Sequence, residues 1–470
     1  MSRLLIKDIF KDKIVEREAT VKGWIRSVRN SKKFSFIVLN DGSSQNSLQI
    51  IVDEILPNYA EVAGLLSGSA VAITGKLVTG GGKVQSIEMQ ALNVEIIGRV
   101  NEDYPLQKKA TSLEFLREQA HLRIRTNTFG AVMRVRHHLA MATHEFFNNR
   151  GFFYLNSPII SGVDAEGAGE MFTISTFATD ITKAPKLKDG KLDFSKDYFG
   201  KETFLAVTGQ LEGECYAMGL GSVYTFGPTF RSENSNTTRH LSEFWMIEPE
   251  VAFADLDEIA NLATDYIKFL ISYALINAAD ELEFLFNREE STVAKNHKEV
   301  LEHVRDSKFV RLTYTEAIEI LSKVDPAVKK FEYPTIWGHE LQTEHERFLA
   351  EEHFKMPVIV TDYPKEFKAF YMKLNSDGKT VRAMDILVPG IGEIIGGSQR
   401  EDNLERLTKR MDEMNMDQGP LWWYLDLRRY GPVPHAGFGL GFERAIMYIT
   451  GMSNIRDVIP FPRTPKNCDF

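Results

Sequence analysis

Phe230-Arg231-Ser232-Glu233 and, a few residues on, Arg239-His240-Leu241-Ser242-Glu243-Phe244 frame a polar Asn/Ser/Thr loop between two apolar segments. Apolar arms around a polar tip suit an antiparallel hairpin. Each arm carries an arginine, whose planar fork pairs bidentately with phosphate oxygens and stays charged at any working pH. Glu233, two residues from Arg231, shares its face of a strand and could accept a bond from an exocyclic amine. Taken alone, Arg-x-Glu also suits a surface salt-bridge ladder.

Two more clusters lie downstream. Asp385, then Glu393 and Gly396-Gly397-Ser398-Gln399-Arg400, sets two carboxylates at even spacing on a strand-like segment. Such acids can hold Mg2+ on phosphates, and the glycines admit a ligand close to the backbone. An ordinary turn with solvated acids is the other reading. Gly437-Phe438-Gly439-Leu440-Gly441-Phe442-Glu443-Arg444 leads into an apolar helix. Its small residues allow close packing of strand on helix, and one arginine stands at the helix start.

Outward from these clusters, residues 1–97 read as all-β. Runs rich in β-branched and aromatic residues at 20–28, 34–39, 48–52, 70–77 and 87–97 alternate with turn signals such as Asn40-Asp41-Gly42-Ser43-Ser44. Five strands suit a small barrel, and the oligonucleotide-binding (OB) fold is the commonest five-stranded choice. Residues 98–126 lose the alternation and read as a hinge. From 128 to 150 apolar residues fall at helical spacing (Val132, Val135, Leu139, Phe146), and Phe152-Phe153-Tyr154-Leu155 then reads as a strand. Strands and helices mix thereafter without a βαβ rhythm, predicting an antiparallel α+β domain. Neither G-x-x-x-x-G-K-[ST] nor a strand-borne G-x-G-x-x-G occurs, so phosphate binding falls to side-chain charge. The expected division is a barrel over 1–100, a hinge over 101–126, and a second domain over 127–470 with a charged helical insertion at about 290–355.

The 470 residues, 43% hydrophobic and 26% charged, suffice for two or three folded domains. A net charge of −9 excludes a globally basic nucleic-acid binder but leaves room for local basic surfaces. The most apolar stretch, 266–279, is short and broken by Lys268, and reads as a buried helix face. Two cysteines, Cys215 and Cys468, cannot build a disulfide framework, which points to a reducing cytoplasm.

In this order, the arginine hairpin, the acid–Gly-Gly–Arg strand and the glycine strand ending in Glu443-Arg444 resemble the signature of class II aminoacyl-tRNA synthetases. The 128–150 helix with Gly151 to Pro158 is similar to their first motif, 230–248 to the second and 437–444 to the third. With an N-terminal barrel the chain looks like the aspartyl, asparaginyl and lysyl subgroup. Thr237-Thr238-Arg239-His240-Leu241-Ser242-Glu243-Phe244-Trp245, Gly396 to Asp402 and Phe461-Pro462-Arg463-Thr464-Pro465 resemble the asparaginyl family in particular. An aspartyl enzyme with relaxed tRNA choice is the nearest rival.

The resemblance implies an α+β fold: a five-stranded OB-fold barrel plus a class II catalytic domain on an antiparallel sheet flanked by helices. It implies ATP as substrate, Mg2+, L-asparagine and tRNA(Asn) as partners, a homodimer and no membrane. Arg231 would bind the α-phosphate and the amino-acid carboxylate, Glu233 the adenine amine, Phe244 the ring face and Arg444 the γ-phosphate. Arg239 and His240 would sit by the outer phosphates or only shape the loop. Asp385 and Glu393 match the acids that hold Mg2+, so Arg231, Glu393 and Arg444 would carry the catalysis. Glu170 matches a mobile-loop carboxylate for the α-ammonium, with Gln210 adding a polar contact. Arg400 would reach the side-chain carbonyl, or pair with Glu401 or Asp402. Where aspartyl enzymes place a lysine, this chain has Gly213 and then Glu214. Removing a cation and adding an acceptor favours a neutral amide, so Glu214 is the expected reader of the asparagine amide. On the barrel, Phe36 matches a stacking aromatic, Gln49 a base-reading glutamine, and Arg29 a phosphate or base contact.

Overall fold

The computed structural model describes residues 3–81, 86–106, 111–165, 171–179, 181–235, 237–288 and 296–470. They form two compact units, one of residues 1–134 with 280–285 and 470, the other of 135–279 with 286–469.

The first unit is a closed five-stranded barrel, in spatial order Arg17–Asn30, Phe34–Asn40, Leu48–Asp53, Ile87–Gly98 and Ala70–Thr79. Closure removes the free edges that would invite other strands to pair. Side chains alternate with the period of two that the sequence shows: Ile37, Leu39, Ile50, Val52 and Ile73 fill the interior, while Phe36 and Val38 turn outward. Residues 101–126, expected as a hinge, carry the helices Leu113–Glu118 and Ala120–Arg123. Leu106, Leu116 and Phe129 form a small core there, which the surrounding charge hides in the sequence.

The second unit is built on an eight-stranded sheet in the order Val310–Thr313, Val358–Pro364, Thr380–Val388, Gly392–Gln399, His435–Gly441, Glu243–Ala252, Ser222–Phe230 and Phe153–Leu155. Its interior pairings are antiparallel, and each edge strand joins in parallel. Leu256–Asn277 packs on the central strands Gly392–Gln399 and His435–Gly441. It is long and apolar enough by length and composition to cross a membrane, yet Ile259, Ala263, Tyr266, Ile267, Leu270 and Ala274 form a stripe buried within the protein. Val310–Thr313 lies inside the segment expected to be helical; a four-residue strand is too short to show a period.

Candidate active site

The site sits on the central strands. Ser222–Phe230 and Glu243–Ala252 pair antiparallel, with Phe230 opposite Glu243. Arg231 and Glu233 therefore lie just past the strand end, in the connecting loop, rather than on a strand face. The Arg231 N–H donates to the Ser242 carbonyl at 3.0 Å, closing the loop, and its guanidinium lies 5.4 Å from the centre of the Phe244 ring. His240 Nε2 stands 4.0 Å from Glu233 Oε2. Arg239 donates to Thr343 Oγ1 at 3.2 Å. From the first turn of the helix Phe442–Thr450, Arg444 donates to the Glu393 carbonyl at 3.3 Å.

Arg231, Glu233, Arg239, His240, Phe244 and Arg444 all line one cavity of about 250 Å³. A second cavity, about 260 Å³, holds Gln210, Glu250, Lys368, Asp385 and Arg400. Arg231, Met246, Glu393 and Gly439 line both, so the two chambers share a wall.

Asp385 and Glu393 occupy neighbouring strands of a hairpin, not one strand, with Asp385 opposite Gly396. A Cβ on Gly396 would lie 3.4 Å from Asp385 Oδ1 and 3.3 Å from Glu393 Oε1, so the glycine opens the space between the acids. Burial raises the Glu393 carboxyl, as does the charge of Asp385, against the pull of Arg444 and Lys368. Lys368 Nζ meets Asp385 Oδ2 at 2.9 Å. Glu346 accepts the Glu393 N–H at 3.0 Å; burial and the Glu393 charge push it up to about 7. Crowded, hard carboxylate oxygens suit Mg2+, which binds through one or two carboxylates plus substrate phosphates. Among the described residues no three His, Cys, Asp or Glu side chains cluster as a metal site.

The floor of the second chamber corrects two expectations. Arg400 pairs with neither Glu401 nor Asp402. Its Nε and NH2 donate to the two oxygens of Glu250 at 3.2 and 2.5 Å, and its NH1 donates to Ser398 at 2.7 Å. Glu214, expected to face the substrate amide, lines neither chamber: it is wholly buried behind the floor. Burial opposes its ionisation, yet Arg428 and His435 hold it well below the usual carboxylate range. Glu250, the acid that Arg400 holds, does line the chamber. A Cβ on Gly437 would overlap the Glu250 carboxylate, and one on Gly213 would press on its Cγ at 3.2 Å. Gly213 thus matters as space for Glu250. Glu250 was missed in the sequence, where it stands with Glu248 among Ile247, Pro249 and Val251 and neither acid is marked out; Lys368 and Glu346 carried no signal either. Glu170 lies outside the described residues.

On the barrel, Arg29, Phe36 and Gln49 share the outer face. Arg29 pairs opposite Phe36, its guanidinium 5.0 Å from the ring centre. Gln49 lies opposite Val38, and its amide donates to Glu88 at 2.8 Å.

Residues 112–465 match the family described as class II tRNA synthetases (D, K and N), and residues 19–97 match the OB-fold nucleic acid binding domain. The asparagine–tRNA ligase of Acetivibrio thermocellus is 57% identical, and that of Cytophaga hutchinsonii 54%, each over 100% of both chains. The crystal structure of asparaginyl-tRNA synthetase from Pyrococcus horikoshii complexed with asparaginyl-adenylate superposes with a TM-score of 0.85 at 31% identity, covering 100% of this chain and 99% of that one. The chain belongs to the class II tRNA synthetases of the D, K and N group. Within that group it falls among the asparagine–tRNA ligases, not with the aspartyl rival.

Proposed function

We propose that this chain joins L-asparagine to tRNA(Asn) in two steps within the paired chambers. ATP and asparagine give asparaginyl adenylate and pyrophosphate; a terminal ribose hydroxyl of the tRNA then takes the asparaginyl group, releasing AMP. The observation that supports this reading is the shared wall, where Arg231 and Glu393 border both the cavity lined by Glu233, Phe244 and Arg444 and the cavity lined by Gln210, Glu250 and Arg400.

In the first chamber Phe244 offers a ring to stack on adenine and Glu233 an acceptor for its amine. Arg239, His240 and Arg444 lie where the outer phosphates would extend. Attack of the asparagine carboxylate on the α-phosphorus builds negative charge on the phosphorane. Arg231, at the junction, opposes that charge and aligns both reactants, so positioning and electrostatics suffice without a protein nucleophile. Asp385 and Glu393 would hold Mg2+, which when bound offsets phosphate charge. Glu170 and Gln210 would receive the α-ammonium. Arg400 would donate to the side-chain carbonyl while Glu250 accepts from the amide nitrogen. An aspartate side chain has no N–H for Glu250 to accept, so the acid that Arg400 orients selects the amide.

Arg29, Phe36 and Gln49 offer the barrel face for the anticodon, by stacking and base-edge bonds. Exposed Phe153, Tyr154, Ile159 and Ile160, near one edge of the catalytic sheet, support a homodimer, which light scattering would test. With two free cysteines and no disulfide, the chain suits the cytoplasm. Pyrophosphate exchange into ATP should depend on asparagine, followed by charging of tRNA(Asn); exchange driven by aspartate alone overturns the reading.

A further inference from the structure

Four donors from three elements converge on the buried Glu214. Gln210 Nε2 reaches Oε1 at 3.1 Å, Tyr424 Oη reaches both oxygens at 2.9 Å, Arg428 NH2 reaches Oε2 at 2.9 Å and His435 Nε2 reaches it at 2.8 Å. Arg400 Nε lies 4.0 Å from Oε1. Glu214, Arg428 and Tyr424 are all fully buried. A carboxylate accepts and cannot donate. It therefore dictates which end of any amide facing it must be the NH2.

We propose that Glu214 is a positioning residue that sets the polarity of the Gln210 side chain for the substrate. Gln210 lines the amino-acid chamber and Glu214 stands behind it. With its NH2 committed to Glu214, Gln210 keeps its carbonyl oxygen on the other branch of the amide. An α-ammonium, which only donates, needs that acceptor; a flipped amide would present N–H to N–H. Tyr424, Arg428 and His435 saturate the remaining lone pairs of Glu214, so the carboxylate stays ionised and fixed. The same anion lies within reach of the Arg400 charge and so steadies the guanidinium that Glu250 and Ser398 hold.

This inference rests on the assignment of the second chamber to the amino acid, and the test separates the two. Glu214→Gln lets either amide turn, and should raise KM for asparagine about ten-fold or more while KM for ATP changes less than about two-fold; one charge-assisted hydrogen bond supports that size. Tyr424→Phe removes a single donor, guards against a variant that fails to fold, and should raise KM for asparagine in the same direction by less. Gln210→Met removes the amide: it should raise KM for asparagine by itself, and adding Glu214→Gln to it should cause little further rise. If Gln210→Met raises KM but Glu214→Gln and Tyr424→Phe, both folded by circular dichroism, leave it unchanged, the positioning role is overturned. Fully additive effects of Gln210→Met and Glu214→Gln also overturn it. If Gln210→Met itself has no effect on asparagine, the chamber has been assigned to the wrong substrate.

Discussion

Glu250 owes its place to two side chains that are not there. Any Cβ at Gly437 would occupy the volume of its carboxylate, and Gly213 clears its methylenes. Gly437→Ala must displace Glu250 and with it Arg400, at a cost of about 1–3 kcal/mol in stability. Asparagine-dependent pyrophosphate exchange should fall sharply, while ATP binding, measured by fluorescence or calorimetry, should change little. Cys215 illustrates the opposite case, a reactive residue type without a reactive setting. Burial, then Glu214 and Glu212, push its thiol up to about 12. Since the thiolate is the attacking form, iodoacetamide at pH 8 should label exposed Cys468 and spare Cys215 in the native protein, as peptide mapping would show.

Among the elements, the long helix Leu256–Asn277 is held at its start by a reciprocal cap. Asp255 Oδ1 accepts the Glu258 N–H at 3.0 Å, and Glu258 accepts the Asp255 N–H at 3.0 Å. Asp255→Ala should destabilise the protein by about 1 kcal/mol in thermal melts, with no change in KM for asparagine. The barrel strands were readable because each alternates inward and outward over enough residues to show a period of two. The glycine strand His435–Gly441 and the helix that follows were readable from their small residues and apolar run. The acidic hairpin was misread as a single strand. Asp385 and Glu393 are separated by a turn at Pro389-Gly390-Ile391, so their even spacing does not put them on one strand face. The arginines and acids that border the chambers stood out as charge inside apolar segments. Glu214 and Glu250 could not be ranked the same way: both are acids near the pocket, and only packing decides which faces it.

For the molecule as a whole, the barrel residues and the chamber residues lie in different compact units. Phe36→Ala should raise KM for tRNA about ten-fold or more, the scale of losing one stacked base, while asparagine-dependent exchange stays intact. Loss of exchange as well would mean that Phe36 serves the barrel's stability. Chelation of divalent cations should abolish exchange, and added Mg2+ should restore it. The wall common to both chambers has its own consequence for what stays and what leaves. If asparagine and the nucleotide are joined across Arg231 and Glu393, the product spans both compartments, whereas the expelled diphosphate has lost its link to the asparagine side. The mixed anhydride should therefore travel with the protein through a desalting column run without tRNA, after its smaller co-product has washed away.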